Sequence, residues 1–175
     1  MKFISFKAAA PVVALGFLLS GCGGGDDEGI FVNEKEPSST GLSASVAVTA
    51  ATNAVLNGTY TSNNILLNNV TKVDPIGGDP ETCRFRFSGL VQPGSTRILD
   101  GDVRYIPGNP ELRTTFVSIS TIQFVLNGTA GATVDRANNR VVYTGAVFTS
   151  VPAGNAETIT LTGTIPMRGD RPEGC

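Results

Sequence analysis

From Val55 onward hydrophobic and polar positions alternate, and turn residues cut the alternation into short segments. The clearest is Thr158–Ile165, where Thr158, Thr160, Thr162 and Thr164 alternate with Ile159, Leu161, Gly163 and Ile165. A period of two places one side of a strand on a core and the other in water. Cys83–Val91 sets Phe85, Phe87 and Gly89 against Arg84, Arg86 and Ser88, which predicts a strand with its Phe side inward. Val55–Thr61 and Ile65–Val70, parted by Ser62-Asn63-Asn64, predict a hairpin. Lys72–Glu81 holds Asp74-Pro75, Gly77-Gly78 and Asp79-Pro80 and predicts a long loop.

Gln92-Pro93-Gly94-Ser95 suits a type II turn, with Pro at its second position and Gly at its third. Thr96–Ile106 follows and ends at Pro107-Gly108-Asn109-Pro110. Asp100-Gly101 interrupts it, as a tight hairpin or a bulge. Leu112–Leu126 changes face, with Val117 and Ile119 on one parity and Ile122, Phe124 and Leu126 on the other, so a bulge or bend is expected near Ser120. Ala132–Asp135 and Arg140–Thr149 flank Ala137-Asn138-Asn139 as another hairpin. Ser43–Asn53 fits a strand or a short helix, and the alternation of Val46 and Val48 favours the strand.

About eight antiparallel strands in roughly 125 residues predict an all-β domain, either a sandwich or a small barrel. Val55-Leu56-Asn57-Gly58-Thr59 recurs as Val125-Leu126-Asn127-Gly128-Thr129. That echo marks a duplicated hairpin unit or, more simply, recurring strand-end chemistry.

The first residues follow a different pattern. Lys2 and Lys7 precede an apolar run, Ala8–Leu19, and small residues Ser20 and Gly21 come next. This is the three-part layout of a secretory signal. Twelve residues of helix span roughly 18 Å, short of the roughly 30 Å hydrocarbon core of a bilayer. Leu19, Ser20, Gly21 and Cys22 resemble the lipobox of bacterial lipoproteins. The resemblance covers residues 1–22 alone and implies cleavage before Cys22, a diacylglycerol thioether on its sulfur and an acylated amino terminus. Two or more acyl chains make anchoring stable where one is marginal. Gly23 after the Cys, rather than Asp, resembles lipoproteins sent to the outer membrane.

The organisation expected is therefore a signal helix (1–21), an acylated Cys with an acidic flexible tether (22–45) and a single β-rich domain (46–175). Gly23 to about Ser45 has little to bury. Its Ile30-Phe31-Val32 island is a transient contact or an added strand. The body is large enough for one core.

Three cysteines become an even pair once Cys22 carries lipid. Cys83 and Cys175 are then expected to form a disulfide in an oxidising compartment, stapling a chain terminus. Residues 49–175 carry ten acids and ten bases, so no basic footprint for nucleic acid is present.

The chain has no His, which removes His-based triads, imidazole metal sites and His proton shuttles. Asp100-Gly101-Asp102 with Glu111 lacks the EF-hand pattern for calcium. No metal, no cofactor and no catalytic set is expected. Arg84, Arg86, Arg97 and Arg104 are candidates for a patch binding anionic polysaccharide or lipid headgroups, against the plainer reading of a solvated sheet face with Asp100, Asp102 and Glu111 as neighbours. Arg168-Gly169-Asp170 matches the tripeptide of integrin-binding loops, a weak three-letter signal.

The reading reached is an outer-membrane lipoprotein with a non-enzymatic structural or binding domain. Its expected partners are the membrane, through the lipid, and another envelope protein or a polysaccharide. The alternatives are a small barrel carrying an apolar ligand and, behind it, a carboxylate-dependent glycan hydrolase.

Overall fold

A computed structural model describes residues 35–75, 77–151 and 157–175. Residues 1–34, with the signal, the lipobox, Cys22 and the Ile30–Val32 island, lie outside the described residues. The strands are β1 (Ser38–Ser39), β2 (Ala44–Thr49), β3 (Gly58–Ser62), β4 (Leu66–Leu67), β5 (Thr71–Val73), β6 (Thr82–Val91), β7 (Ile98–Tyr105), β8 (Leu112–Ile119), β9 (Ile122–Asn127), β10 (Ala132–Asp135), β11 (Arg140–Val151) and β12 (Thr158–Pro166). A short 3-10 turn, η1, covers Ala54–Leu56.

Of the two architectures expected, the chain forms the barrel. Eight antiparallel strands close on themselves in the order β6-β3-β2-β12-β11-β9-β8-β7, and β7 pairs back onto β6. The other four strands lie outside that ring. The Phe side of β6 faces inward as expected, with Phe85 and Phe87 buried. Tyr60, Tyr105, Tyr143, Phe124 and Phe148 join them inside, and Tyr143 meets Phe148 edge-on at 5.9 Å between ring centres. Eight strands leave an interior just wide enough for side chains to fill.

Several segments depart from the expected pattern. The hairpin at Ser62-Asn63-Asn64 does not form. Instead β3, β4 and β5 follow one another along a single edge of β6, at Val91, Ser88–Phe87 and Arg84–Thr82. Asn64 explains the detour. Its side-chain oxygen accepts from Ser39 Oγ (2.8 Å), Gly41 N (2.7 Å) and Thr40 N (3.2 Å), so the turn residue ties down the neighbouring chain. Ser38–Ser39, inside the stretch expected to be a tether, pairs with β4, and β2 begins at Ala44.

Asp100-Gly101 is neither hairpin nor bulge, since β7 runs straight through it. The extra residue sits opposite, at Ser88-Gly89 of β6, and Gly89 N donates to Asp100 Oδ1 (2.9 Å). Gly101 is required by space: a Cβ there would lie 2.5 Å from the Phe87 ring and 2.8 Å from the Phe116 carbonyl oxygen.

The change of face near Ser120 is a complete reversal. Ser120-Thr121 forms a two-residue hairpin turn with Ser120 at φ 57°, and Ile119 faces Ile122. The two Val-Leu-Asn-Gly-Thr strings also differ. The first enters β3 from η1, and the second leaves β9, so the duplicated unit is absent. The turn at Gln92–Ser95 has Gly94 at φ 77° and a Ser95 N to Gln92 O bond, as a type II turn requires.

The last residues fold across one end of the barrel. Met167 N donates to Asn139 O (2.8 Å), Gly108 N to Gly174 O (2.8 Å) and Tyr105 Oη to Cys175 O (2.9 Å). The Cys83–Cys175 disulfide fastens this segment to β6 across 92 residues of sequence. Closing so long a loop removes unfolded-state entropy nominally equivalent to about 4–5 kcal/mol. Replacing both cysteines by serine is expected to cost about 3–5 kcal/mol in urea unfolding.

All three tyrosines of the chain are buried, and burial pushes each phenol above its ordinary range. Nearby Arg97 opposes this at Tyr60, and Arg171 does so at Tyr105. A group that ionises later when folded contributes its full stability below its unfolded value, about pH 10. That stability is lost as pH climbs through the raised folded value. The native protein should therefore show no phenolate absorbance near pH 10. The absorbance should appear at higher pH, together with loss of the β-sheet circular dichroism signal.

Candidate functional site

The inward positions of β6, β7, β8 and β9 feed the core, so their alternate positions build an outer face. On β6 these are Arg84 and Arg86, on β7 Asp100, Asp102 and Arg104, and on β8 Thr114, Phe116 and Ser118. Gln123 and Asn127 stand exposed on β9. Register fixes the neighbours: Arg84 lies across from Arg104, and Arg86 across from Asp102.

Asp102 organises the charges. Arg84 Nε donates to both of its carboxylate oxygens, at 3.0 and 2.9 Å, and Arg84 Nη2 adds a further bond. Both side chains are about three-quarters buried or more, with 24% and 20% of their surfaces exposed. Arg104 Nε approaches the same carboxylate at 3.8 Å. That enclosed Nε reaches no hydrogen-bond acceptor among the described residues. Arg86 lies 3.5 Å from Glu36, and its backbone N–H donates to Asn68 Oδ1 (2.6 Å).

The structure thus brings together three of the four arginines singled out in the sequence. Arg97 stands elsewhere, at the β6–β7 turn, where its Nη1 donates to Gln92 Oε1 (3.3 Å). Nor is the face basic, because carboxylates are interleaved with the guanidinium groups.

Two clefts, of about 310 and 250 Å³, adjoin on this face, and Phe116 lines both. Phe116 occupies the outward parity of β8, between buried Thr115 and Val117, and is partly buried. Arg86, Asp100, Ser118 and Gln123 line the first cleft, and Arg104, Arg113, Thr114 and Asn127 the second. Sequence reading passed over Phe116, Gln123 and Asn127. The available signal was an aromatic residue on the polar parity of a strand.

The Arg-Gly-Asp tripeptide is otherwise employed. Arg168 Nη2 donates to Ser38 Oγ (2.8 Å) and to Leu67 O (3.1 Å), joining β1 to β4. The cleft beside it, about 410 Å³, is lined by Thr40, Asn138 and Pro166 among others. Cys22 lies outside the described residues.

Among the described residues no three His, Cys, Asp or Glu side chains gather as a metal site. Among them, too, no helix is long and apolar enough to cross a membrane. Comparison with protein-family models, with curated proteins and with solved structures gave no match.

Asp102 anchors the electrostatics of this face. Asp102→Asn should lower stability by about 1–2 kcal/mol, because Arg84 is left about three-quarters buried without its counter-charge. The double variant Arg84→Met/Asp102→Leu should recover part of that loss in the same urea titration, since neither charge then remains.

Proposed function

We propose that this chain is a lipid-anchored protein of the bacterial envelope, held at the outer membrane through Cys22, with a non-enzymatic binding or structural β domain. The observation that carries the reading is Cys22 placed directly behind Leu19-Ser20-Gly21, at the end of an apolar run too short to span a bilayer. A Cys83–Cys175 disulfide supports it, since such bonds persist in oxidising compartments.

The shape of the domain supports a role on the barrel's outside. Large aromatic side chains occupy the interior, while the clefts, lined by polar and apolar residues together, open outward. Asp100 and Asp102, alternate residues on the outer face of β7, each serve a structural partner, Gly89 N and Arg84 respectively. This weighs against a pair of carboxylates working as acid and base. A carrier of an apolar ligand is the second reading, favoured by the closed eight-stranded ring. It requires the buried rings of the interior to make room. Native mass spectrometry separates the two, because a carrier co-purifies with its ligand.

The anchor itself is directly testable. Intact-mass analysis of the membrane-extracted protein should give a chain beginning at Cys22 with two or more acyl groups added. Cys22→Ala should lack that mass and move the protein out of the membrane fraction. Recovery of the unmodified natural chain free of membranes, starting beyond residue 22, would overturn the proposal.

A further inference from the structure

We infer that the groove centred on Phe116 binds an uncharged stretch of saccharide chain. The inference rests on reading the barrel as a binding domain and names the ligand of its outer face. Several features of the groove support it. Phe116 projects from the middle of a four-stranded face and lines both clefts, so a ligand crossing from one to the other passes over it. A pyranose has the matching form, with an apolar C–H side that covers an aromatic ring and hydroxyls around its rim.

The rim of the groove suits hydroxyls, each of which both donates and accepts. Gln123 and Asn127 offer carboxamides on β9, at opposite ends of the strand. Arg104 lines the second cleft with a guanidinium that can donate to a ligand oxygen. Asp100 and Asp102 supply acceptors in the first cleft.

Charge decides between saccharide classes. The two clefts are lined by three arginines (Arg86, Arg104 and Arg113) and five carboxylates (Glu36, Asp74, Asp79, Asp100 and Asp102). Arg113 lies 2.6 Å from Asp79, and Asp102 already holds Arg84. No surplus positive charge is left to attract a polyuronate, a sulfated glycan or a nucleic acid. A lipid tail is also disfavoured, since charged and carboxamide side chains border Phe116 in both clefts.

The full mature chain, 15N-labelled and held in detergent micelles, permits the test without a Trp reporter. Side-chain amide resonances of Gln123 and Asn127 are followed during titration with maltohexaose, chitohexaose, hexagalacturonate and a lysine-rich hexapeptide. The expected result is saturable shifts of both amides with at least one neutral hexaose. Phe116→Leu, which keeps the apolar bulk and removes the ring, should weaken that binding roughly three- to tenfold with thermal stability little changed.

Absence of shifts with both neutral sugars at millimolar concentration overturns the inference. So does response to the uronate or the peptide alone, or unaltered affinity in Phe116→Leu. Acyl mass measured on the same preparation keeps the two proposals apart. An acylated protein that ignores neutral saccharide loses only this inference, and an unacylated one that binds it loses only the anchor.

Discussion

The structure depends on the pairing of β6 with β7 along nearly the whole length of both strands. Without it the eight strands would be an open sheet with two long unpaired edges, each a template for another chain. Closure demands that β6 satisfy two neighbours at once. One edge takes β7. The other takes β3, β4 and β5 in turn, as a single interrupted partner. The bulge at Ser88-Gly89 lets β6 turn at the place where these demands differ, and Asp100 on β7 holds it by accepting from Gly89 N.

A closed ring of eight strands leaves little inside once Tyr60, Tyr105, Tyr143 and four phenylalanines are packed there. Chemistry is then displaced to the outside, onto positions that alternate with the core. The same pleat that buries Val103 and Val117 projects Asp102, Arg104 and Phe116. The outer groove is thus a by-product of register, and its residues are held by strands rather than by loops. The disulfide and the segment behind it hold one end of this barrel shut, with Tyr105 donating to Cys175 O from within.

Much of the fold was legible because the signals are local. Alternation marked β12 and β6, Pro93-Gly94 marked its turn, and Ala137-Asn138-Asn139 marked the β10–β11 hairpin. Local signals failed where a turn-forming residue served a distant partner. Asn64 reads as a hairpin tip, yet its carboxamide caps Ser39, Thr40 and Gly41 from some 24 residues away. Gly101 reads as a break, yet it makes room for the Phe87 ring. At the candidate site the arginines were visible as residue types. Asp102 was visible as a neighbour, but the ion pairs made by Glu36 and Asp79 were not, because they come from segments far away in the chain.

The residue order alone determined the all-β class and the inward side of each regular strand. Both follow from composition or a period of two, and neither requires knowledge of what lies across the sheet. Only the tertiary structure decided that the sheet closes, that Arg97 stands apart from the other three arginines, and that Phe116 faces a groove instead of the core. The reason is physical. A strand's own side chains fix which side is apolar, but hydrogen-bond partners and register are chosen between segments far apart in the chain.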